Sequence, residues 1–271
     1  EIASCLVGSE MCIRDSRVNW GNFNNAYPYI AIPGHPIAMF YGHIFDGVYQ
    51  YTDFDKVGES YILKDGVPNN GNAREKIQPG DIKFKDINRD GVVNDYDLTI
   101  IGNPNPKHIG GFGNNFQYKN FDLNVFFQWS YGGDVLNANR IEFEGGDPNA
   151  RTSLNMFASF ANRWTPENQT NELYRIGGQG PAVYSSRTIE DGSFLRLKTV
   201  SLGYRLPNAW LKKINIKSLR VYASAQNLIT WTRYSGPDPE VSTRPTALTP
   251  SFDWSPYPRP RTLTLGVDIS F

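Results

Sequence analysis

The last segment of the chain, 261–271, alternates strictly between polar and apolar residues from Thr262 onward. The apolar positions of this segment are Leu263, Leu265, Val267, Ile269 and Phe271. Because successive side chains of a strand point to opposite faces, the period of two predicts one β-strand with an apolar and a polar face. Such a strand occurs in soluble β-sandwiches as well as in membrane β-barrels.

The same alternation on both sides of Lys119-Asn120 predicts an antiparallel hairpin over residues 112–131. The apolar face of its second limb carries Phe121, Leu123, Val125, Phe127, Trp129 and Tyr131. That limb is about eleven residues long. A tilted strand needs about 9–11 residues to cross a bilayer, whereas strands of soluble proteins commonly have about five or six. The hairpin therefore favours a membrane barrel.

Segments 196–206 and 219–226 show two further alternating strands with polar opposite faces. In a soluble protein the polar faces would meet bulk water, and in a barrel they would line a wet lumen. The alternation alone does not distinguish these environments.

The lengths of the connections distinguish them better. Backward from the last strand, the connections have about 30 residues (232–260), then a short linker (207–217), then about 60 residues (132–193), then the tight turn at 119–120. Short periplasmic turns that alternate with long external loops are typical of outer-membrane barrels. Within the longest connection, the pattern predicts a helix from Leu154 to Trp164 that ends before Pro166.

The composition excludes two classes of protein. The 271 residues contain 27 Lys and Arg against 27 Asp and Glu, so the net charge is zero and nucleic acid is not an expected partner. Uninterrupted apolar runs reach only about five residues, well short of the roughly 18 that a membrane-spanning helix needs. An aromatic content of 14%, with 25 Gly and 18 Pro, instead suits many strands joined by turns.

The first 16 residues differ in style from the remainder. They contain both cysteines, Cys5 and Cys12, and resemble a translated sequencing-adapter string. We interpret residues 1–16 as a non-native tail, which implies that the native N-terminus is missing, and we exclude them from the fold prediction. Residues 17–271 then hold no cysteine for a disulfide or a metal site.

One short segment has the pattern of a cation-binding loop. Oxygen ligands at loop positions 1, 3, 5, 7, 9 and 12, with glycine at position 6, allow a loop to wrap a calcium ion. The corresponding residues are Asp86, Asn88, Asp90, the Val92 carbonyl, Asn94 and Asp97, with Gly91 at the turn. Asp97 stands where an EF-hand has Glu, and no helix pair flanks the loop. We therefore expect a structural calcium ion rather than a sensor. The alternative is an Asx-rich turn without an ion.

Catalytic motifs are absent or weak. The three histidines lack metal spacing, and neither a nucleophile elbow, a zinc-protease motif nor a P-loop occurs. Glu142, Glu144 and Asp147 could form a glycosidase carboxylate set, but their Gly-rich surroundings favour a solvated acidic loop. An enzyme is not expected.

Aromatic residues in the predicted loops are candidates for stacking on sugar rings. They are Trp164, Tyr184, Trp231, Tyr234, Trp254 and Tyr257. Loop packing or a membrane-interface girdle would require the same residue types.

Several short motifs, in order, resemble the C-terminal part of SusC/RagA-type TonB-linked outer-membrane proteins. They lie at 34–49, 80–91, 101–106 (Ile-Gly-Asn-Pro-Asn-Pro), 192–198, 202–204, 219–228, 234–240 (Tyr-Ser-Gly-Pro-Asp-Pro-Glu), 257–258 and the final Phe271. The resemblance covers essentially residues 17–271. A terminal aromatic residue such as Phe271 resembles the assembly signal that the barrel-assembly machinery reads in outer-membrane proteins.

The resemblance implies an all-β fold, a transmembrane antiparallel β-barrel of 22 strands in the cell outer membrane. Residues 17–271 would supply roughly its last third, with the 86–97 loop inserted in an extracellular loop. The family's partners would be a SusD-like surface lipoprotein and TonB with its inner-membrane energising proteins, the latter acting through an N-terminal plug outside this chain. The imported substrate would be a glycan or, less often, a peptide.

Two alternatives remain open. One is a soluble, secreted β-sandwich that binds glycans and is stabilised by calcium at 86–97, which predicts a water-soluble monomer. The other is an outer-membrane adhesin or passive pore without a plug. Because loops rather than strands set specificity on such folds, the sequence names no particular substrate.

Overall fold

A computed structural model describes Phe23 and residues 27–32, 34–145, 154–181, 184–211, 216–244 and 246–271. The predicted tail, residues 1–16, and Asp147 lie outside these ranges. The described chain divides into two compact units. Of the described residues, those up to 105 and those within 134–190 and 241–255 form the loop unit, and those within 106–133, 191–240 and 256–271 form the sheet unit.

The described residues form strands, two short α-helices and single turns of 3-10 helix. The strands are β1 (Tyr29–Ile30), β2 (Met39–Gly42), β3 (Phe45–Val48), β4 (Phe54–Val57), β5 (Ser60–Leu63), β6 (Ile82–Phe84), β7 (Thr99–Gly102), β8 (His108–Tyr118), β9 (Phe121–Tyr131), β10 (Asp134–Asn137), β11 (Ile189–Asp191), β12 (Phe194–Arg205), β13 (Ser218–Thr232), β14 (Phe252–Asp253) and β15 (Thr262–Ser270). The helices are α1 (Asn139–Glu144) and α2 (Asn208–Leu211), and the 3-10 turns are Tyr51–Asp53, Arg74–Lys76, Asp95–Asp97, Ala158–Asn162 and Ser186–Thr188. No helix among the described residues is long and apolar enough to cross a membrane.

The sheet unit is one antiparallel sheet with the strand order β15-β13-β12-β9-β8. The predicted hairpin is confirmed: β8 and β9 are joined through Lys119 and Asn120, with Tyr118 paired to Phe121. Lys119 has a positive φ of 51°, as a tight two-residue hairpin turn demands. β12 and β15 match the predicted segments 196–206 and 261–271 to within two residues at each end, and β13 extends the predicted 219–226 to 15 residues.

The register places the predicted apolar positions of neighbouring strands side by side. Leu202 pairs with both Leu123 and Ala223, and Ala223 pairs with Leu265. The apolar face is bare: Leu265 is 85% exposed. A soluble sandwich would cover such a face with a second sheet, and the described residues of the sheet unit form only this one. The sheet is therefore built for contact with lipid rather than with a second layer.

A β-bulge in β12 decides which residues face the polar side. The pairing of β12 with β9 shifts register between Leu197 and Thr199. Arg196 pairs with Gln128, and Ser201 pairs with Asn124. Arg196 and Ser201 are five positions apart, an odd number, so a regular strand would place them on opposite faces. The extra residue puts both on the polar face.

The loop unit builds its own cores from short strands. One core combines Tyr29, Phe40, Leu136 and Phe252, which come from three separate stretches of the chain. Two others form around the β3–β6 pair and the β4–β5 hairpin. Much of what the sequence predicts as long loops is thus packed structure.

The predicted helix at 154–164 is wrong in type and extent. The structure has a 3-10 turn at Ala158–Asn162 instead. Trp164 donates its backbone N–H to the Leu173 carbonyl at 2.8 Å, and its side chain is buried. This pairing requires extended backbone directly after Asn162, which stops the chain from continuing as an α-helix.

Candidate functional site

The polar face of the sheet carries a charge cluster that spans four strands. Arg220 on β13 contacts Asp122 on β9 at 2.6 Å and Asp268 on β15 at 3.2 Å. The cation lies 4.9 Å from the ring centre of Tyr222, its neighbour on the same face. The cation on β13 thus pairs with a carboxylate on its neighbour β15 and with one on β9, two strands away, which favours this lateral order of the strands.

A second charge cluster lies nearer the opposite ends of these strands. Arg196 on β12 contacts Asp238 at 2.6 Å and Glu240 at 3.2 Å. Arg259 contacts the same two carboxylates, at 3.5 Å and 2.6 Å respectively. The sequence interpretation missed this cluster, because it treated residues 232–260 as an external loop. Asp238 and Glu240 lie in one of the motifs that carry the family resemblance, which was the available signal.

Three of the six aromatic candidates are core residues. Trp164 and Tyr184 are buried in the loop unit, where Trp164 Nε1 donates to Gln50 Oε1 at 3.0 Å and the Tyr184 hydroxyl donates to the Pro28 carbonyl at 3.3 Å. Burial raises the pKa of Tyr184 well above its ordinary value. Tyr234 is buried in the sheet unit. Their rings pack against protein and present no face to a sugar.

The other three candidates lie in different surroundings. Trp231 pairs with Leu195 on the apolar face of the sheet, where a girdle aromatic belongs. Trp254 is half-buried, with its ring centre 4.8 Å from that of Phe23. Tyr257 is 91% exposed and is the candidate best placed to meet a ligand. Phe271 is exposed directly after β15, and its role as an assembly signal stays a prediction.

The 86–97 loop is closed by its acidic ends. Both carboxylate oxygens of Asp86 accept backbone hydrogen bonds, from Arg89 N at 2.6 Å and Gly91 N at 2.8 Å. Gly91 has a φ of 84°, which accounts for glycine at the predicted turn position. Asp97 is fully buried and accepts from Ile87 N at 2.8 Å and Asn94 N at 2.9 Å.

The remaining candidate calcium ligands also bond within the loop. Asn88, Asp90 and Asn94 each accept from the backbone N–H two residues ahead, and the Val92 carbonyl accepts from Asn94 Nδ2 at 3.2 Å. No group of three or more His, Cys, Asp or Glu side chains gathers around a common point in the described ranges. The oxygens have the chemistry that calcium prefers, and an ion would have to compete with these hydrogen bonds. The calcium site stays a prediction.

Glu144 belongs to a buried ion cluster of the loop unit. Its carboxylate accepts from Arg187 at 2.7 Å, from Arg140 at 2.9 Å and from the Ser159 hydroxyl at 2.7 Å. Burial opposes its ionisation, but the Ser159 hydrogen bond and the two cations outweigh burial and hold the pKa of Glu144 below its ordinary value. An ionised carboxylate that is paired with two arginines stabilises the fold and is poorly suited to donate a proton in glycoside cleavage.

The same unit contains a buried carboxylate with the opposite shift. Burial raises the pKa of Asp81, although a backbone hydrogen bond from Gln78 and the cation of Arg175 oppose the rise. Arg175 lies 2.7 Å from Asp81, and Gln78 N donates to the other carboxylate oxygen at 2.9 Å. Asp81 thus fixes the turn before β6.

The chain resembles known receptors over most of its length, although no protein-family model matches it. It is 36% identical over 256 residues to TonB-dependent receptor P3 of Formosa agariphila, which covers 93% of this chain and 24% of that protein. It is 32% identical over 200 residues to TonB-dependent receptor SusC of Bacteroides thetaiotaomicron, which covers 73% of this chain and 18% of that protein.

Solved structures match the fold. The RagAB peptide transporter superposes with a TM-score of 0.65 at 26% identity, over 90% of this chain and 24% of that one. The RagAB peptide importer in its open-open state gives a TM-score of 0.64 at 25% identity, over 94% of this chain and 25% of that one. The chain thus spans between about a fifth and a quarter of the length of these proteins.

Fold, face pattern and relatives agree. The sheet unit presents a bare apolar face and a charged polar face, as transmembrane barrel strands do, and its relatives are named as receptors and transporters rather than enzymes. The chain belongs to the SusC/RagA family of TonB-linked outer-membrane proteins, and its long strands are a portion of that family's β-barrel.

Proposed function

We propose that the complete protein imports an oligomeric nutrient across the outer membrane, with energy supplied through TonB. The observation that carries the proposal is the two-faced sheet: one face is bare and apolar, and the other is polar and ion-paired. A barrel wall needs lipid-facing and lumen-facing sides of this kind. The protein performs no covalent chemistry in this proposal, which agrees with relatives named as receptors and transporters rather than enzymes.

Glycans are the proposed substrates. Support comes from the family resemblance of the sequence motifs, which implies a glycan more often than a peptide, and from the exposed ring of Tyr257, which is free of the core packing that holds Trp164, Tyr184 and Tyr234. Peptides are the second candidate, because the solved structures with matching folds are described as a peptide transporter and importer.

The proposed partners follow from the family. A SusD-like surface lipoprotein would cap the external mouth, and TonB with its inner-membrane energising proteins would act on parts of the protein outside this chain. Phe271 would present the signal for the barrel-assembly machinery. We also propose that the 86–97 loop takes up a structural calcium ion.

Growth of a gene-deletion strain tests the proposal. The deletion should abolish growth on the oligosaccharide substrate and leave growth on its constituent monosaccharide intact, and the complete gene should restore growth only when TonB is present. If the deletion strain instead lost growth only on a peptide mixture, peptides rather than glycans would be the substrates. Restoration without TonB would contradict energised import, and a protein that stays soluble without detergent would contradict the barrel.

A further inference from the structure

We propose that Arg196 is a positioning residue of the transport path. It holds residues 234–240 folded inward against the polar face of the sheet, so that this segment is a fixed ledge on the lumen wall rather than part of a free external loop. The consequence for import rests on the proposed function, whereas the ledge itself does not.

The burial of Arg196 is the first observation. Its side chain is only 2% exposed, although it lies on the polar face of a sheet. Besides Asp238 and Glu240, it binds the Thr230 hydroxyl through Nε at 3.1 Å, and its guanidinium lies 5.1 Å from the ring centre of Phe194. An arginine is this buried only when other groups cover it and satisfy its donors. Here the covering groups come from the segment that follows β13.

The path of the segment is the second observation. Beyond β13, Tyr234 N donates to Thr232 Oγ1 at 3.1 Å, and the chain then turns back across the sheet. Glu240 reaches Gln128 of β9 at 3.5 Å, and Gln128 also accepts from Lys198 of β12 at 2.9 Å. The segment therefore crosses from β13 over β12 to β9, on the face that the barrel turns toward its lumen.

The segment is stiff by sequence. Pro237 and Pro239 fix φ on either side of Asp238 and keep the residues before them extended. The ring of Tyr234 lies over Gly236, where a Cβ would come within 2.5 Å of ring atoms. Asp238 also accepts from Glu240 N at 2.9 Å. A stiff segment with buried anchors keeps one position rather than sweeping through solvent.

Charge balance assigns the roles within this cluster. Asp238 is buried, and Arg196 is its main counter-charge because Arg196 lies 2.6 Å from its carboxylate whereas Arg259 lies 3.5 Å away. Glu240 and Arg259 are more exposed, with side chains at 32% and 41%, and a passing solute would meet them first. Without Arg196, the carboxylates of Asp238 and Glu240 would have only Arg259 as a counter-charge. Their mutual repulsion and the cost of keeping Asp238 buried would then favour release of the ledge from the sheet.

Hydrogen exchange of the complete protein, in detergent, tests the ledge directly. We expect Arg196→Gln to speed amide exchange in residues 234–240 by about tenfold while exchange in β9 stays unchanged. Arg220→Gln is the matched control, because it removes an arginine that pairs with two carboxylates on the same face but holds no loop. Arg196→Lys should recover part of the protection.

An unchanged exchange rate in Arg196→Gln, or equal acceleration in Arg220→Gln, would overturn the proposal. Should Arg196→Gln fail to give a barrel that migrates compactly until boiled, Asp238→Asn probes the same contact from the loop side and should accelerate exchange likewise. Protection in Asp238→Asn equal to wild type would also overturn the ledge.

Uptake measurements then test the consequence for transport. With the imported oligosaccharide, Arg196→Gln should change the concentration for half-maximal uptake several-fold while surface abundance stays equal, and Arg196→Lys should move it back. Altered exchange with unaltered uptake would keep the ledge but contradict its place in the transport path. Absence of any uptake by the wild-type protein would contradict the proposed function and leave the exchange result standing.

Discussion

The guanidinium of Arg220 crosses the backbone of Gly203 to reach the carboxylate of Asp122 two strands away. Arg220 Nη2 lies 2.6 Å from Asp122 Oδ2, and Arg220 Nε lies 3.0 Å from Oδ1. A Cβ on Gly203 would come within 2.6 Å of both the guanidinium and the carboxylate. The missing side chain of Gly203 is what lets one arginine bridge three strands.

Substitution of Gly203 by alanine should therefore displace Arg220. We expect Gly203→Ala to lower the temperature at which the complete barrel unfolds in detergent, measured by loss of compact migration on gels. Gly113→Ala is the control, because a Cβ there meets its nearest atoms at 3.5 Å, which is ordinary contact. Equal unfolding temperatures for the two variants would show that a Cβ at residue 203 does not disturb the contact between Arg220 and Asp122.

Removal of the cation itself should have a similar but salt-dependent effect. Arg220→Gln should lower the unfolding temperature by a few degrees, because exposed ion pairs contribute little individually and gain from acting as a network. High salt should reduce the difference in unfolding temperature between Arg220→Gln and wild type, because salt screens the ion pairs of the wild-type protein. Arg261→Gln, at an exposed arginine with no ion pair to the described residues, should match wild type. A gap that is independent of salt would point to packing instead.

The alternation of residues along the strands was sufficient to predict most of the sheet. Period two is a local property, so the faces of 261–271 and of 121–131 could be read directly. The bulge at Leu197 could not, because an extra residue is defined only against the partner strand. Nothing local marks Arg196 as buried, because its partners Asp238 and Glu240 follow 42 and 44 residues later.

The loop unit was the larger omission. Its strands are mostly two to four residues long, too short for a periodic signal. Its first core joins Tyr29, Leu136 and Phe252, which nothing local in the sequence connects. Aromatic residues that look like ligand-binding loop residues were therefore core residues, as Trp164 and Tyr184 illustrate.

Glu144 should be the residue whose neutralisation weakens the loop unit most. Glu144→Gln leaves Arg187, with a side chain only 4% exposed, without its carboxylate. We expect a loss of about 3 kcal/mol, typical of breaking a buried ion pair from one side. Hydrogen exchange in residues 134–145 and 184–190 measures it. Glu172→Gln, at an exposed glutamate of the same unit, should leave that exchange close to wild type, and an equal effect of both would contradict the assignment.

Glu144 should also make the stability of the loop unit depend on pH in the acidic range. Because the folded-state pKa of Glu144 lies below its ordinary value of 4.5, its contribution to stability is complete above that pH and is lost as the pH falls through the folded-state pKa. The difference in exchange protection between wild type and Glu144→Gln should therefore shrink below pH 4.5. A difference that stays constant down to acid pH would contradict the lowered pKa.

Calcium should protect the 86–97 loop if the ion binds there. We expect added calcium to slow proteolysis of this loop in the complete protein, and Asp86→Asn to abolish the effect. Asp95→Asn is the control, because Asp95 lies at a position that supplies no predicted ligand. A cleavage rate that changes with neither calcium nor chelator would show that the loop's own hydrogen bonds hold it without an ion.

The most direct test of the account is to find which face of β15 meets lipid. Single cysteines at Leu265 and Thr264 of the complete protein, labelled with a fluorophore in outer-membrane vesicles, would be exposed to bromine-labelled lipid. The two positions are neighbours in sequence but lie on opposite faces of the sheet. The barrel account predicts strong quenching at 265 and little at 264. Equal quenching at both, or equal access of a water-soluble quencher to both, would contradict it.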